Sequence, residues 1–109
     1  MTFEQNFNDL KQIFMDKDVS GIKDFLAFQF NIVGDGEGVF YAELKDGKLS
    51  IEPYEYYDNQ AKFKATAQVF KDIANGKIDP VKAFLKGKLD VKGDLGKAGE
   101  LRKLIKNKK

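Results

Sequence analysis

Residues 76–98 read GKIDPVKAFLKGKLDVKGDLGKA, and this stretch carries the densest structural signals in the chain. Asp79-Pro80 places a helix N-cap residue directly before the proline that is favoured at the first helical position. Gly87 stands where a helix of one to two turns would end. The alternation from Lys88 to Lys92 then indicates a short strand. The stretch therefore predicts a short helix and a strand, joined by a tight turn.

The residues after this strand predict an amphipathic last helix with a basic face. Asp94 is its candidate N-cap residue. The apolar positions are Leu95, Ala98, Leu101, Leu104 and Ile105. The basic residues are Lys97, Arg102, Lys103, Lys106, Lys108 and Lys109. Such a helix could make a peripheral contact with an anionic membrane surface. It could equally be a docked helix whose basic face is solvated.

The charge is unevenly distributed along the chain. Residues 1–81 hold 9 basic and 14 acidic groups, whereas residues 82–109 hold 10 basic and 3 acidic groups. The formal net charge of +2 therefore conceals a C-terminal quarter with a net charge of +7. Such an asymmetry often marks contact with an anionic partner, but a solvated helix face explains it equally well.

Upstream of residues 76–98, helix signals lie on both sides of a set of strands. Thr2 and Gln5 fit a capping box and predict a helix from Phe3 to Met15. Asp18 predicts a short second helix that extends through Lys23. These two helices would precede the sheet in the chain.

Alternating apolar and polar residues predict four strands in the middle of the chain. They cover residues 28–32, 39–44, 48–52 and 62–65. Asp46-Gly47 is the strongest hairpin signal in the sequence, and it joins the second strand to the third. Thr66 predicts the N-cap of a further helix, and Gly76 lies at its C-terminal end.

The order of these elements predicts the fold class. Helices come first, strands follow, and helices return with one late strand. No linker, repeat or low-complexity segment interrupts the order, so we predict a single domain over residues 1–109. The order favours the α+β class, with a five-stranded mainly antiparallel sheet and helices packed on one face.

The composition disfavours most enzyme chemistry. The 109 residues include no histidine and no cysteine, which removes the commonest general base, the commonest metal ligand and any thiolate nucleophile. Residues 16–21 open like a calcium loop, but Ala27 occupies the twelfth position, where a bidentate Glu is required. Helix capping is the better interpretation there. We therefore expect no catalysis, no cofactor and no metal site.

Two observations bear on location and on nucleic acid. No apolar run approaches the ~18 residues that span a bilayer, and the N-terminal residues do not resemble a secretory signal. We therefore expect a soluble, cytoplasmic protein. The three tyrosines of residues 54–57 could stack on single-stranded nucleic acid, but their acidic neighbours would repel phosphates. A loop whose rings close over the sheet edge is the better interpretation, and nucleic acid is a disfavoured partner.

Residues 76–98 resemble the C-terminal signature of the sterol carrier protein 2 domain, also called the non-specific lipid-transfer domain. The shared features are Gly-Lys at 76–77, Asp-Pro at 79–80, Ala-Phe at 83–84, Gly-Lys-Leu at 87–89 and Gly-Asp at 93–94. The strands between Phe28 and Ile51 also resemble the opening strands of this family, with the Asp46-Gly47 hairpin in the expected place. The resemblance covers nearly the whole chain.

This resemblance implies an apolar tunnel that holds a fatty acid, a fatty acyl-CoA or a similar long-chain lipid by burial, without catalysis. The residues predicted to line the tunnel are Phe28, Phe30, Leu44, Phe63, Phe70, Phe84, Leu95, Leu101 and Ile105. Lys86 stands where animal members of the family often have Gln, and we predict that it contacts a carboxylate or phosphate head group. A buried long acyl chain could gain on the order of 10 kcal/mol before the costs of binding.

The residues alone leave a second interpretation open. The same apolar positions could fill a completely packed core. The chain would then be a non-enzymatic interaction module that docks on a protein or an anionic membrane through its basic C-terminal helix. The sequence indicates neither the natural lipid nor the oligomeric state.

Overall fold

Helices flank a block of strands in the computed structural model, which describes residues 1–106, the last of these by its backbone only. The helices are α1 (Phe3–Met15), α2 (Ala67–Ala74), α3 (Pro80–Leu85), α4 (Leu95–Gly99) and α5 (Lys103–Lys106), with a 3-10 helix at Glu100–Arg102. The strands are β1 (Leu26–Val33), β2 (Gly38–Lys45), β3 (Lys48–Glu52), β4 (Ala61–Thr66) and β5 (Asp90–Gly93). The predicted order of helices, strands and helices with one late strand is confirmed.

β1 is the central strand of a five-stranded sheet with the order β3-β2-β1-β4-β5. It pairs antiparallel with β2 and parallel with β4. The β2–β3 and β4–β5 pairs are antiparallel. Because only one of the four pairs is parallel, the sheet is mixed but mainly antiparallel. This confirms the predicted α+β class.

Phenylalanine rings on one face of the sheet form the centre of the core. Phe30 on β1 lies in register with Phe40 on β2 and Phe63 on β4, with ring centroids 4.8 and 5.3 Å away. Phe14 of α1 and Phe70 of α2 contact the Phe30 ring at 5.8 and 5.4 Å. These contacts fix α1 and α2 on this face of the sheet. Burial of each such ring contributes roughly 1.5–3 kcal/mol.

The loop of residues 53–60 covers part of the opposite face. The backbone N–H of Tyr56 donates to Oε1 of the buried Gln29 over 3.0 Å. The Tyr56 ring packs edge-on against Tyr41, with centroids 5.1 Å apart. Its hydroxyl donates to Glu43 Oε2 over 2.8 Å. The loop therefore closes over the outer face of β1 and β2, and not over a sheet edge as the sequence suggests.

Local cap and turn signals fix the ends of α1 and of the β2–β3 hairpin. Gln5 N–H donates to Thr2 Oγ1 over 3.1 Å, and Thr2 N–H donates to Gln5 Oε1 over 2.9 Å, which completes the predicted capping box. Asp46 and Gly47 adopt φ angles of 53° and 75°. Two consecutive residues with positive φ match the twist of a two-residue hairpin, as predicted.

The predicted short helix after Asp18 is wrong. Asp18 Oδ1 accepts hydrogen bonds from the backbone N–H and the hydroxyl of Ser20, at 3.1 and 2.7 Å. These short-range bonds stabilise a turn, since an Asp side chain that bonds two residues ahead competes with helical hydrogen bonding.

The predicted last helix is interrupted. α4, the 3-10 helix and α5 follow one another directly in place of one continuous helix. Gly96 and Gly99 lie in the first part of this segment. Each glycine costs a helix interior about 1 kcal/mol relative to alanine, so this sequence supports short helical turns better than one long helix.

Candidate functional site: an apolar cavity beside β5

A cavity of about 140 Å³ opens between α3, α4 and the β4–β5 edge of the sheet. Its lining residues are Phe63, Pro80, Val81, Phe84, Leu89, Val91, Leu95, Ala98 and Gly99. Phe63 lies on the core face of β4 and pairs in register with Val91 of β5. Every side chain in the lining is apolar, so the cavity suits a hydrocarbon group. The lining offers no general acid, general base or metal ligand.

The residues at the N-terminus of α3 start this helix and so position the wall that it forms. Asp79 Oδ2 accepts hydrogen bonds from the backbone N–H groups of Val81 and Lys82, at 3.0 and 3.3 Å. Pro80 occupies the first helical position. Val81 and Phe84 are three residues apart and therefore project from the same side of the helix. This side faces the cavity.

The wall formed by α4 is built in the same way. Asp94 Oδ1 accepts a hydrogen bond from Lys97 N–H over 3.1 Å and starts the helix. Leu95 and Ala98 then project from one side, three residues apart. Ala98 is buried against the sheet, whereas Leu95 is exposed at the rim. The cavity therefore leads from a buried interior to the surface.

The size of the cavity limits what it holds in this conformation. Its volume of about 140 Å³ lies below the ~300–1,000 Å³ of typical ligand sites. If a methylene takes up about the 30 Å³ of a water molecule, about four methylenes fit. A longer acyl chain must either displace α4 outward or continue over the apolar rim.

The nine residues predicted to line a tunnel fall into three groups. Phe63, Phe84 and Leu95 line the apolar cavity. Ile105 lines a neighbouring cavity of about 340 Å³, next to Pro80 and Arg102. The other five lie in the packed core and line neither cavity: Phe28, Phe30, Leu44, Phe70 and Leu101. Contact of any of the nine with a lipid stays a prediction.

Lys86, the predicted head-group contact, is the C-cap residue of α3. Its backbone N–H donates to the carbonyl of Lys82 over 3.0 Å, and its side chain is exposed. It does not line the cavity, but it follows Phe84 of the cavity wall by two residues. The predicted contact would therefore take place outside the cavity.

Six lining residues are absent from the sequence prediction: Pro80, Val81, Leu89, Val91, Ala98 and Gly99. Helical spacing could have found two of them. Val81 precedes Phe84 by three residues, and Ala98 follows Leu95 by three. Strand alternation could have found Leu89 and Val91. The spacing of apolar residues in helices and strands therefore predicts these four wall residues, although no single residue type does.

An ion pair joins the 3-10 helix to the start of α3. Arg102 Nε and Nη2 donate to the two carboxylate oxygens of Asp79, both at 2.8 Å. The hydrogen bond from Arg102 is the main cause that holds the pKa of Asp79 below its usual value. Lys103, the residue after Arg102, forms a second ion pair, with Asp24 in the segment before β1. Two basic residues of the predicted membrane-binding helix are therefore engaged with acidic groups of the protein itself.

A larger groove of about 700 Å³ lies between α1 and α2 but has a mixed lining. It includes Asp9, Gln12, Ile13, Met15, Asp16, Lys17, Lys71 and Asn75. Lys71 Nζ already contacts Asp9 Oδ2 and Asn6 Oδ1, each at 3.2 Å. A wide groove with charges of both signs suits a hydrocarbon poorly, so the smaller apolar cavity is the better candidate site.

Residues 1–106 contain neither a cluster of metal-binding side chains nor a membrane-spanning helix. No group of three or more acidic side chains there is placed to hold a metal ion. None of the helices in this part of the chain combines the length and apolar character needed to span a bilayer.

The solved structures with similar folds include sterol carrier proteins. The palmitated sterol carrier protein 2-like 2 of Aedes aegypti superimposes with a TM-score of 0.67 at 21% identity, over 99% of this chain and 97% of that one. The sec-alkylsulfatase Pisa1 from Pseudomonas sp. gives a TM-score of 0.74 at 19% identity, over 88% of this chain and 15% of that one. These likenesses show a shared fold.

Sequence relatives point to the same family. The hydroxysteroid dehydrogenase-like protein 2 of Danio rerio is 35% identical over 81 residues, which is 72% of this chain and 19% of that protein. The sterol carrier protein 2 of Arabidopsis thaliana is 32% identical over 77 residues, 67% of this chain and 63% of that protein. The chain thus spans about a fifth of the length of the dehydrogenase-like relatives. Residues 7–106 match the model of the SCP-2 sterol transfer family, and the chain therefore belongs to this family of lipid-binding and lipid-transfer domains.

Proposed function

We propose that the protein binds a long-chain acyl lipid in the cavity between α3, β5 and α4 and carries it without catalysis. The observation that supports this proposal is the wholly apolar lining of a cavity that opens to the surface. In an otherwise close-packed interior, such a space is available to a guest molecule. Apolar burial supplies the affinity.

A fatty acid or fatty acyl-CoA fits the distribution of polar groups best. The lining has no hydroxyl, amide or charged side chain that could bind a polar group inside. The head group must therefore stay at the rim, where Lys86 is exposed and carries the charge to meet a carboxylate or phosphate. The Aedes aegypti protein of the same fold is palmitated, which supports an acyl chain over a sterol.

The site must enlarge to hold a whole acyl chain. About four methylenes in the observed volume gain roughly 3 kcal/mol, which is too little for stable binding once the costs of association are included. α4 is the wall best placed to move, because it has only five residues, two of them glycine, and most of its surface is exposed. An outward shift of α4 would extend the cavity toward its neighbour at Ile105.

The chemistry of the lining supports carriage without catalysis. Phe63, Leu89 and their neighbours provide no nucleophile or proton donor. The dehydrogenase-like relatives give no argument for catalysis by this chain, because about four fifths of each relative lies outside the region that this chain matches. The alternative of a completely packed interaction module is less well supported, since the cavity leaves apolar space unfilled.

Uptake of a fluorescent fatty acid by delipidated protein tests the proposal. We expect saturable binding of one molecule per chain, displacement by unlabelled palmitate, and a matching lipid adduct in native mass spectrometry. Absence of both uptake and adduct would reject the acyl site and favour the packed module. If the protein binds a sterol more tightly than palmitate, the acyl ligand is rejected but the cavity remains the binding site.

A further inference from the structure

α3 and the start of α4 present an exposed apolar surface at the rim of the cavity. Leu85 is 76% exposed, Leu95 63%, Phe84 44% and Val81 39%. Leu85 does not line the cavity, so its exposure is not explained by the proposed acyl site. Four large apolar side chains that remain exposed on neighbouring elements form a patch of the kind that marks an interaction surface.

Lysines surround this patch. Lys82, Lys86 and Lys88 are exposed on α3 and just after it. None of the three takes part in the ion pairs formed within residues 1–106. Their positive charges are therefore available to a partner.

The acidic groups nearest in sequence are already engaged. Asp79 binds Arg102 and caps α3, and Asp94 caps α4. Asp90 lies 3.9 Å from Lys64 on the adjacent strand. Each of these three carboxylates thus already has a hydrogen-bond or ion-pair partner other than the lysines of the patch.

We propose that Val81, Phe84, Leu85 and Leu95, together with Lys82, Lys86 and Lys88, form a docking surface for an anionic lipid bilayer. Apolar side chains would enter the acyl boundary while the lysines stay level with the phosphates, which is how amphipathic surfaces bind membranes. This inference deepens the proposed function and rests on it, because the docked rim would open toward the bilayer that supplies the lipid.

The docking surface differs from the basic helix predicted from the sequence. Arg102 and Lys103 of that helix pair with Asp79 and Asp24. Lys82 of α3, and Lys86 and Lys88 just after it, form no ion pair within residues 1–106 and lie close in sequence to the exposed Phe84 and Leu85. Charge and apolar exposure coincide there, beside the cavity rim.

Vesicle flotation tests the docking surface. The probes are vesicles of phosphatidylcholine alone and vesicles with about 20% phosphatidylserine, at about 0.1 M salt. We expect the protein to bind the anionic vesicles more tightly. The pair Lys82→Gln and Lys88→Gln should weaken this binding about 30-fold, because each lysine near an anionic surface contributes about fivefold. Leu85→Gln should weaken it about tenfold.

Matched controls lie outside the docking surface, in the β2–β3 hairpin and in the loop of residues 53–60. Lys45→Gln with Lys48→Gln removes the same charge from the β2–β3 hairpin, and Tyr57→Gln removes an aromatic side chain that is almost fully exposed. Both should leave vesicle binding unchanged. Equal losses in control and test variants, or no preference for anionic vesicles, would overturn the docking surface.

Fatty-acid uptake without vesicles separates this inference from the proposed function. Lys82, Leu85 and Lys88 do not line the cavity, so their variants should take up fluorescent fatty acid like the unaltered protein, while its transfer from anionic vesicles slows. If these variants lose uptake in solution, the surface acts through the cavity and the docking role is overturned. If the unaltered protein binds vesicles but no fatty acid, the docking surface stands and the proposed acyl site fails.

Discussion

Replacing Ala98 by phenylalanine should fill the apolar cavity without unfolding the protein. Ala98 is buried on α4, and its side chain faces the space of about 140 Å³. A phenyl ring needs about 150 Å³, the size of a cavity that holds benzene. The new ring should therefore occupy nearly all of the observed volume and leave little room for an acyl chain.

The magnitude follows from the methylenes that the ring displaces. About four methylenes at ~0.8 kcal/mol each give roughly 3 kcal/mol of lost binding free energy. This corresponds to an increase of about 200-fold in the Kd for palmitate. Burial of the ring should at the same time offset its packing strain, since a buried phenylalanine contributes about 1.5–3 kcal/mol and overpacking costs a similar amount.

Fatty-acid displacement and urea denaturation together check this prediction. Asn8→Phe is the matched control, because it adds the same ring at an exposed position of α1 away from the cavity. An Ala98→Phe protein with an unchanged free energy of unfolding and an unchanged Kd for palmitate would refute the assignment of this cavity. If the ring prevents folding, Val91→Phe introduces it from β5 instead.

Three further predictions concern the fold. Gly93→Ala should lower the free energy of unfolding by about 1–3 kcal/mol, because the φ of Gly93 is +102° and a Cβ would lie 2.8 Å from the backbone oxygen of Gln60. The control Gly21→Ala should change this free energy little in the same urea titration, because nothing lies within 4 Å of the added Cβ. Leu101→Ala should cost about 2–5 kcal/mol because Leu101 is 1% exposed, and a cost near zero would contradict its place in the core. The hydrogen bond to Glu43, followed by burial, raises the pKa of Tyr56 from 10.0 to about 12. The neutral phenol is thus favoured by folding, so this stabilisation is complete below pH 10 and is lost as the pH rises toward 12. Glu43→Gln should lower the Tyr56 pKa in a spectrophotometric titration, and an unchanged pKa would exclude the contact as its cause.

The sequence predicts the helix starts at Thr2 and Asp79 well, because these side chains bond the backbone just ahead of them, but it fails at Asp18, whose bonds to Ser20 stabilise a turn. Thr2 and Asp79 act within three residues of their own position, whereas Asp46 and Gly47 mark the hairpin turn by their positive φ angles. The parallel pairing of β1 with β4 has no such local signal, because it depends on which strands meet in three dimensions. Apolar spacing alone does not predict whether a helix is continuous. In the last part of the chain this spacing continues regularly through Gly96 and Gly99, but the backbone forms α4, a 3-10 helix and α5.

The candidate site was less predictable than the fold. Phe30 and Phe84 look alike in the sequence as apolar residues of periodic segments. In the structure, Phe30 is in contact with four other phenylalanine rings, whereas Phe84 borders unfilled space. The difference depends on what the surrounding elements leave unoccupied, which no single residue encodes. The exposure of Leu85 is likewise a property of the assembled surface.

The central position of β1 also determines the order in which the sheet can assemble. β1, β2 and β3 are joined by turns of four and two residues, so they can pair as a meander soon after collapse. β4 must instead reach β1 across the 27 residues between Val33 and Ala61, and β5 pairs only with β4. Because long-range pairing is slow, the meander should form first. The β4–β5 wall of the cavity would then join the sheet last.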